Sequence, residues 1–182
     1  MNLKEYIKLA TSTESLIDSV DTNIPLFIRL LQINATVCSL LDLYKKEIFY
    51  KKQIDPVEHD GLTNKLYSLM DDDELIEIDE LNIDTRVLHS ILGCTTESGE
   101  LIMALLDCII EGKKLDYVNV AEEMADINWY QAIYHDTTGV DWNENLDTNI
   151  AKLKRRFPNK FNTEDAINRD LEAEREILEG KK

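Results

Sequence analysis

Between Asp84 and Gly112 the apolar residues keep a single spacing. Val87, Leu88, Ile91, Leu92, Leu101, Ile102, Leu105 and Ile109, with Ser98 among them, fall on one face of an α-helix and do not alternate as a strand would. Nearly every other segment carries the same period. A chain of 182 residues with only 6 Gly and 3 Pro has too little turn chemistry for a many-stranded β fold. The reading is all-α: a helical bundle in one domain, with 43% hydrophobic residues to build its core.

Helix signals divide the chain. A short first helix is expected over Leu3 to Ala10, and a long one from about Pro25 to Lys51 with Pro25 in its first turn. Pro56 ends that region, and residues 57 to 70 read as another short helix. The acidic stretch "DDDELIEIDELNID", residues 71 to 84, reads as a solvated linker. Asp84 is the expected N-cap of the next helix, and Gly112 its stop. Asn119 with Glu122 looks like a capping box for a helix running to about His135, which Gly139 breaks. Asp141 caps a helix that ends before Pro158, and a last charged helix is expected from Asn162 or Thr163 to near Gly180. The expected organisation is a region 1–84 of helices and acidic linker packed on the same domain, a core at 85–162 and a charged C-terminal helix at 163–182. A short echo links "KKQIDPV" at 51–57 with "GKKLDYV" at 112–118. If it marks a repeated hairpin, the first copy carries Thr36, Ser39, Leu62 and Lys65 where the second has four acids.

Those acids are Glu97 and Glu100 on one helix, Glu123 and Asp126 on the next. Like charges three apart on a helix repel by about 0.2–0.5 kcal/mol per pair. Their i+4 neighbours are Leu101, Ala104, Ile127 and Tyr130, none of them cationic. The four carboxylates therefore border an apolar stripe, where an unpaired charge is costly. A divalent cation answers this, and four carboxylates with water suit Mg²⁺ or Mn²⁺. A carboxylate-bridged di-iron bundle needs Glu-x-x-His on two helices. None of His59, His89 and His135 stands three after a Glu.

Net charge is −16, so the molecule as a whole repels nucleic acid and anionic membranes, and neither is an expected partner. Positive charge gathers in "NIAKLKRRFPNKF", residues 149 to 161. Lys152 and Arg156 share a helical face with Asn149 one turn earlier. Such a face complements a helix dipole, and beside a metal site it suits a polyphosphate. Cys38, Cys94 and Cys108 show no metal or disulfide spacing and read as buried reduced thiols. The opening "MNLKEYIKLATSTES" has neither the apolar core nor the cleavage site of a signal peptide. The most apolar stretch, 24–44, contains Arg29, Gln32, Asn34 and Asp42 and reads as too polar to span a membrane. The expected location is the cytoplasm, the host's if the chain is phage-encoded.

"LHSILGCTTESGEL", "VNVAEEMADINWY" and "NIAKLKRRFPNKF", in this order and spacing, resemble the MazG-like all-α nucleoside triphosphate pyrophosphohydrolase superfamily, in the single-domain form common in phages and bacteria. The resemblance covers roughly residues 85–162. It implies a Mg²⁺-dependent enzyme, with Mn²⁺ as a substitute, that cleaves a nucleoside triphosphate between the α- and β-phosphates to a monophosphate and pyrophosphate. It implies Glu97, Glu100, Glu123 and Asp126 as metal ligands, with Glu97 or Glu100 orienting or deprotonating the attacking water. Lys152 and Arg156, then Asn149 and Arg155, are the implied phosphate contacts. A homodimer or homotetramer is implied as well. Ala125 departs from the Gly often found before the final Asp. For the base, Trp129 and Asn128 follow the last acid closely, while Tyr130, Trp142 and His89 read as core. The alternative is a non-catalytic helical protein of the same fold that senses nucleotides or binds a partner.

Overall fold

Eight α-helices and no strand form among the described residues of this computed structural model, which are 1–71, 76, 78 and 80–180. Residues 72–75, 77 and 79 of the expected acidic linker lie outside the described residues. The helices are α1 Leu3–Thr11, α2 Ile24–Tyr50, α3 Pro56–Asp71, α4 Thr85–Glu111, α5 Tyr117–Thr138, α6 Trp142–Arg156, α7 Thr163–Ile167 and α8 Leu171–Leu178. The fold is all-α, as the spacing predicts.

The helical hairpin is repeated. Ile24 and Thr85, Tyr50 and Glu111, and Pro56 and Tyr117 each lie 61 positions apart, so α2 and α4 have the same length and α3 and α5 the same start. Hydrogen bonds repeat at the same offset. Asn23 and Asp84 accept from Leu26 N and Val87 N, both at 3.1 Å. Lys51 and Gly112 end the two long helices in the left-handed region, with φ of 56° and 67°. Lys52 N then reaches Lys46 O at 3.3 Å, and Lys113 N reaches Asp107 O at 3.4 Å. Asp55 and Asp116 each accept from the N–H of a Val two residues on, at 2.9 Å. The echo seen in seven residues thus extends over both helices and the turn between them.

The chain forms two compact units. The first holds residues 1–20 and 82–146, the second 21–81 and 147–182. These boundaries differ from those drawn on the sequence: α1 belongs with α4 and α5, and α6 begins in one unit and ends in the other. In the first unit α1 packs on α5 and on the first residue of α6 through Ala10, Ala132 and Trp142, flanked by Tyr6, Ile7 and Trp129. Trp129 Nε1 donates to Ala10 O and Thr13 Oγ1, both at 3.0 Å. Arg86 on α4 clamps Glu14 through Nε and Nη2 and reaches Asp136 on α5 at 2.7 Å. In the second unit α3 packs on α2, and Arg156 pairs with Glu174.

Several expectations need correction. Asp116, not Asn119, caps α5, because its carboxylate reaches the N–H groups of both Val118 and Asn119. The C-terminal helix is two, since Asp170 starts a fresh helix by accepting from Ala173 N at 3.0 Å. Cys38 is exposed, not buried, while Cys94 and Cys108 are half-buried. By length and composition α2 is apolar enough to cross a membrane, with a mean hydropathy of 1.6 over its most apolar window. Its few polar residues are diluted over 27 positions and do not rule out a span.

Candidate metal centre

Helices α4 and α5 face each other closely because Gly93 of α4 leaves room for a ring. A methyl group there would lie 2.1 Å from two carbons of the Tyr130 ring. Tyr130 is wedged further by His89 and Trp129, at ring centroid distances of 5.4 and 4.9 Å. One turn beyond Gly93 this contact brings the acids of the two helices together. One carboxylate oxygen from each of Glu97, Glu100 and Glu123 lies within 4.8 Å of the others. Glu123 is buried, Glu97 half-buried and Glu100 exposed. Asp126 lies outside this group of three, one turn on and exposed, yet its charge reaches Glu97, Tyr130 and Tyr6.

The electrostatics follow from this crowding. Burial raises the Glu97 pKa first. A hydrogen bond with Glu123 and the charges of Glu100, Glu123 and Asp126 raise it further. Two carboxyls can share a hydrogen bond only by sharing a proton, which is the response of like charges without a counter-cation. None of the four acids makes an ion pair among the described residues. Asn119 Nδ2 donates to Glu123 Oε1 at 2.6 Å and orients the buried carboxylate. An all-oxygen donor set of crowded carboxylates fits a hard divalent ion such as Mg²⁺ or Mn²⁺.

At the equivalent positions α2 and α3 carry Thr36, Ser39, Leu62 and Lys65. Thr36 is buried and its hydroxyl donates to Gln32 O at 2.8 Å. That hairpin offers no carboxylate at these four positions and an ammonium where Asp126 would be, so it lacks the donor set.

The expected phosphate contacts Asn149, Lys152, Arg155 and Arg156 lie on the part of α6 that belongs to the second unit. Asn149 and Arg155 are exposed and Lys152 half-buried. Arg156 is engaged already: Nε and Nη2 donate to the Glu174 carboxylate, each at 2.6 Å. A phosphate would compete with that carboxylate for the same two donors. Arg169 also binds Glu174, at 2.6 Å. The Glu174 carboxyl is pushed down to about 2 by Arg156, then by Arg169.

Of the expected base contacts, Trp129 has its N–H occupied by α1 and its ring packed between neighbours, so it is an anchor for α1. Asn128 is exposed, and its Nδ2 donates to Met124 O at 2.9 Å. Trp142 is buried and stacks on His135, with centroids 4.8 Å apart. Two residues near the acids were not anticipated. Asn119 stands four before Glu123, one helical turn, and that spacing was the available signal. Tyr6 reaches α5 from α1, a tertiary contact with no sequence signature.

No protein-family model, curated protein or solved structure matches this chain.

Proposed function

We propose that Glu97, Glu100, Glu123 and Asp126 hold Mg²⁺, with Mn²⁺ able to substitute, and that the chain hydrolyses a nucleoside triphosphate to the monophosphate and pyrophosphate. The observation that carries the reading is the convergence of three carboxylates from two helices within 4.8 Å, with no cationic side chain paired to them. The resemblance of residues 85–162 to the MazG-like pyrophosphohydrolases adds the reaction. When bound, the cation supplies charge neutralisation on phosphate oxygens and Lewis acidity. Asn119 fixes the rotamer of Glu123. Glu97 or Glu100 orients the attacking water or takes its proton. That water attacks the α-phosphorus, the bond to the bridging oxygen breaks, and pyrophosphate leaves with its charge offset by the cation.

The test is turnover of a panel of ribo- and deoxynucleoside triphosphates with and without Mg²⁺, together with Mn²⁺ binding. The wild type should release monophosphate and pyrophosphate only with metal. Glu123→Gln should remove both turnover and Mn²⁺ binding while the helices stay folded. Residual high-affinity Mn²⁺ in that variant would place the metal elsewhere. Diphosphate plus phosphate as products would mean a different bond is cut. No turnover with intact nucleotide binding would leave the sensing role in its place.

A homodimer or homotetramer belongs to the same reading. Ile109, Ile110, Tyr117 and Val118, around the turn from α4 to α5, are 70–78% exposed, an apolar patch that a second copy would cover. Sedimentation giving a clean monomer would remove that part.

A further inference from the structure

A cleft of about 490 Å³ opens between the N-terminal end of α1, the adjoining face of α5 and the first turn of α6. We propose that it seats the nucleobase of the substrate, with Tyr6 as the stacking ring and Asn128 and Asn143 reading the base edge. The proposal rests on the pyrophosphohydrolase reading in naming the ligand a nucleotide.

Position is the first argument. Tyr6 Oη donates to Ala125 O at 3.5 Å, so one wall of the cleft meets α5 at the residue before Asp126. Asp126 is close enough to act, after burial, on the Tyr6 phenol. Asn128 lines the same cleft two residues further along α5. The cleft therefore adjoins the stretch of α5 that carries Asp126.

Chemistry is the second. The cleft holds three amides with hydrogen-bonding capacity left over. Asn2 accepts from Glu5 N through Oδ1, which leaves its NH₂. Asn128 donates through Nδ2 to Met124 O, which leaves its carbonyl. The Asn143 side chain is exposed and makes no hydrogen bond among the described residues. Paired donors and acceptors on a short rigid side chain match the edge of a base. Tyr6 is held by Trp142, ring centroids 6.2 Å apart at 61°, and Trp142 by His135 behind it. A ring fixed in this way loses little freedom when a base stacks on it. Trp129, the aromatic nearest the acids in sequence, is buttressed on its N–H and its ring, and the stacking surface passes to Tyr6.

The full chain, without metal, would be titrated with nucleosides of each base, following tryptophan fluorescence. At least one nucleoside should bind. Asn143→Ala and Tyr6→Leu should each weaken it about tenfold, in line with the stacking and edge contacts removed. Tyr6→Phe should retain most of the binding. Thermal melts establish that each variant is folded, and exposed Asn143 carries the test if Tyr6→Leu fails to fold. Nucleosides carry no phosphate and need no cation, so their binding survives a failure of the hydrolase reading. Turnover of triphosphates with no change of base preference in Asn143→Ala would overturn the cleft alone. So would the absence of binding by every nucleoside.

Discussion

Asn119 Nδ2 and Glu123 Oε1 lie 2.6 Å apart across one turn of α5, and this amide is the hydrogen-bond donor to the most buried acid of the centre. The contact does two things. It holds the Glu123 carboxylate in one rotamer, and it gives a buried acceptor its hydrogen-bond donor. Asn119 is not the helix cap, since Asp116 has that role, so its removal leaves the start of α5 intact.

Asn119→Ala should therefore weaken Mn²⁺ binding about 10- to 100-fold, the usual effect of losing a group that orients a ligand. Turnover should fall at low Mg²⁺ and recover at high Mg²⁺. Titration with Mn²⁺ checks this directly. An unchanged affinity would reduce Asn119 to a surface residue.

Gly93 yields a stability prediction. In Gly93→Ala the added methyl meets Tyr130 near the root of its ring, which cannot swing away without parting α4 from α5. Overpacking of this kind costs about 1–3 kcal/mol. The melting temperature should fall, and Tyr130→Ala in the same chain should recover part of the loss. If Gly93→Ala melts with the wild type, the two helices stand further apart than described.

What the sequence reveals divides by the reach of each interaction. Asp84, Gly112, Gly139 and Asp141 were legible because a cap is decided within four residues. The acid pairs were legible because spacing of three on a helix is a local fact. The start of α5 was misread because Asp116 and Asn119 are both good caps, and only the folded backbone shows which N–H groups are open. Docking of α1 on α5 was not legible: the Trp129 bond to Ala10 spans 119 positions, and no pattern announces it. The Arg156 pairing with Glu174 was hidden likewise, because both residues sit in charged runs with many alternative partners. The repeated hairpin left only a short trace, since its two copies share caps and length more than residues.

Glu174 predicts an acid response. Arg156 and Arg169 hold its carboxyl at about 2, against 4.5 for an ordinary glutamate. A lowered folded-state pKa stabilises the fold above the unfolded value and loses that stabilisation as pH falls through 4.5 toward 2. Glu174→Gln should cost about 1–2 kcal/mol at neutral pH, because it leaves the half-buried Arg156 guanidinium without its counter-charge. The gap between variant and wild type should narrow steadily as pH falls from 5 to 3. Denaturation midpoints over that range decide it, and parallel curves would mean the ion pair adds nothing.

Lys51 and Gly112 close the repeated hairpins in the same left-handed conformation, but only one of them is glycine. For a residue with a Cβ that region costs about 1–2 kcal/mol. Lys51 offsets some of this by donating from Nζ to Ile48 O at 3.0 Å. Glycine would also gain freedom in the unfolded chain, which opposes the benefit. The net expectation for Lys51→Gly is a gain of about 0.5–1 kcal/mol. Gly112→Lys should lose about 1 kcal/mol at the matching position. Urea denaturation of the two variants reads both signs. Opposite signs mean that position in the hairpin, not residue type, sets the left-handed cap. A loss in both would mean that the Lys51 side chain contributes more through Ile48 than its backbone conformation costs.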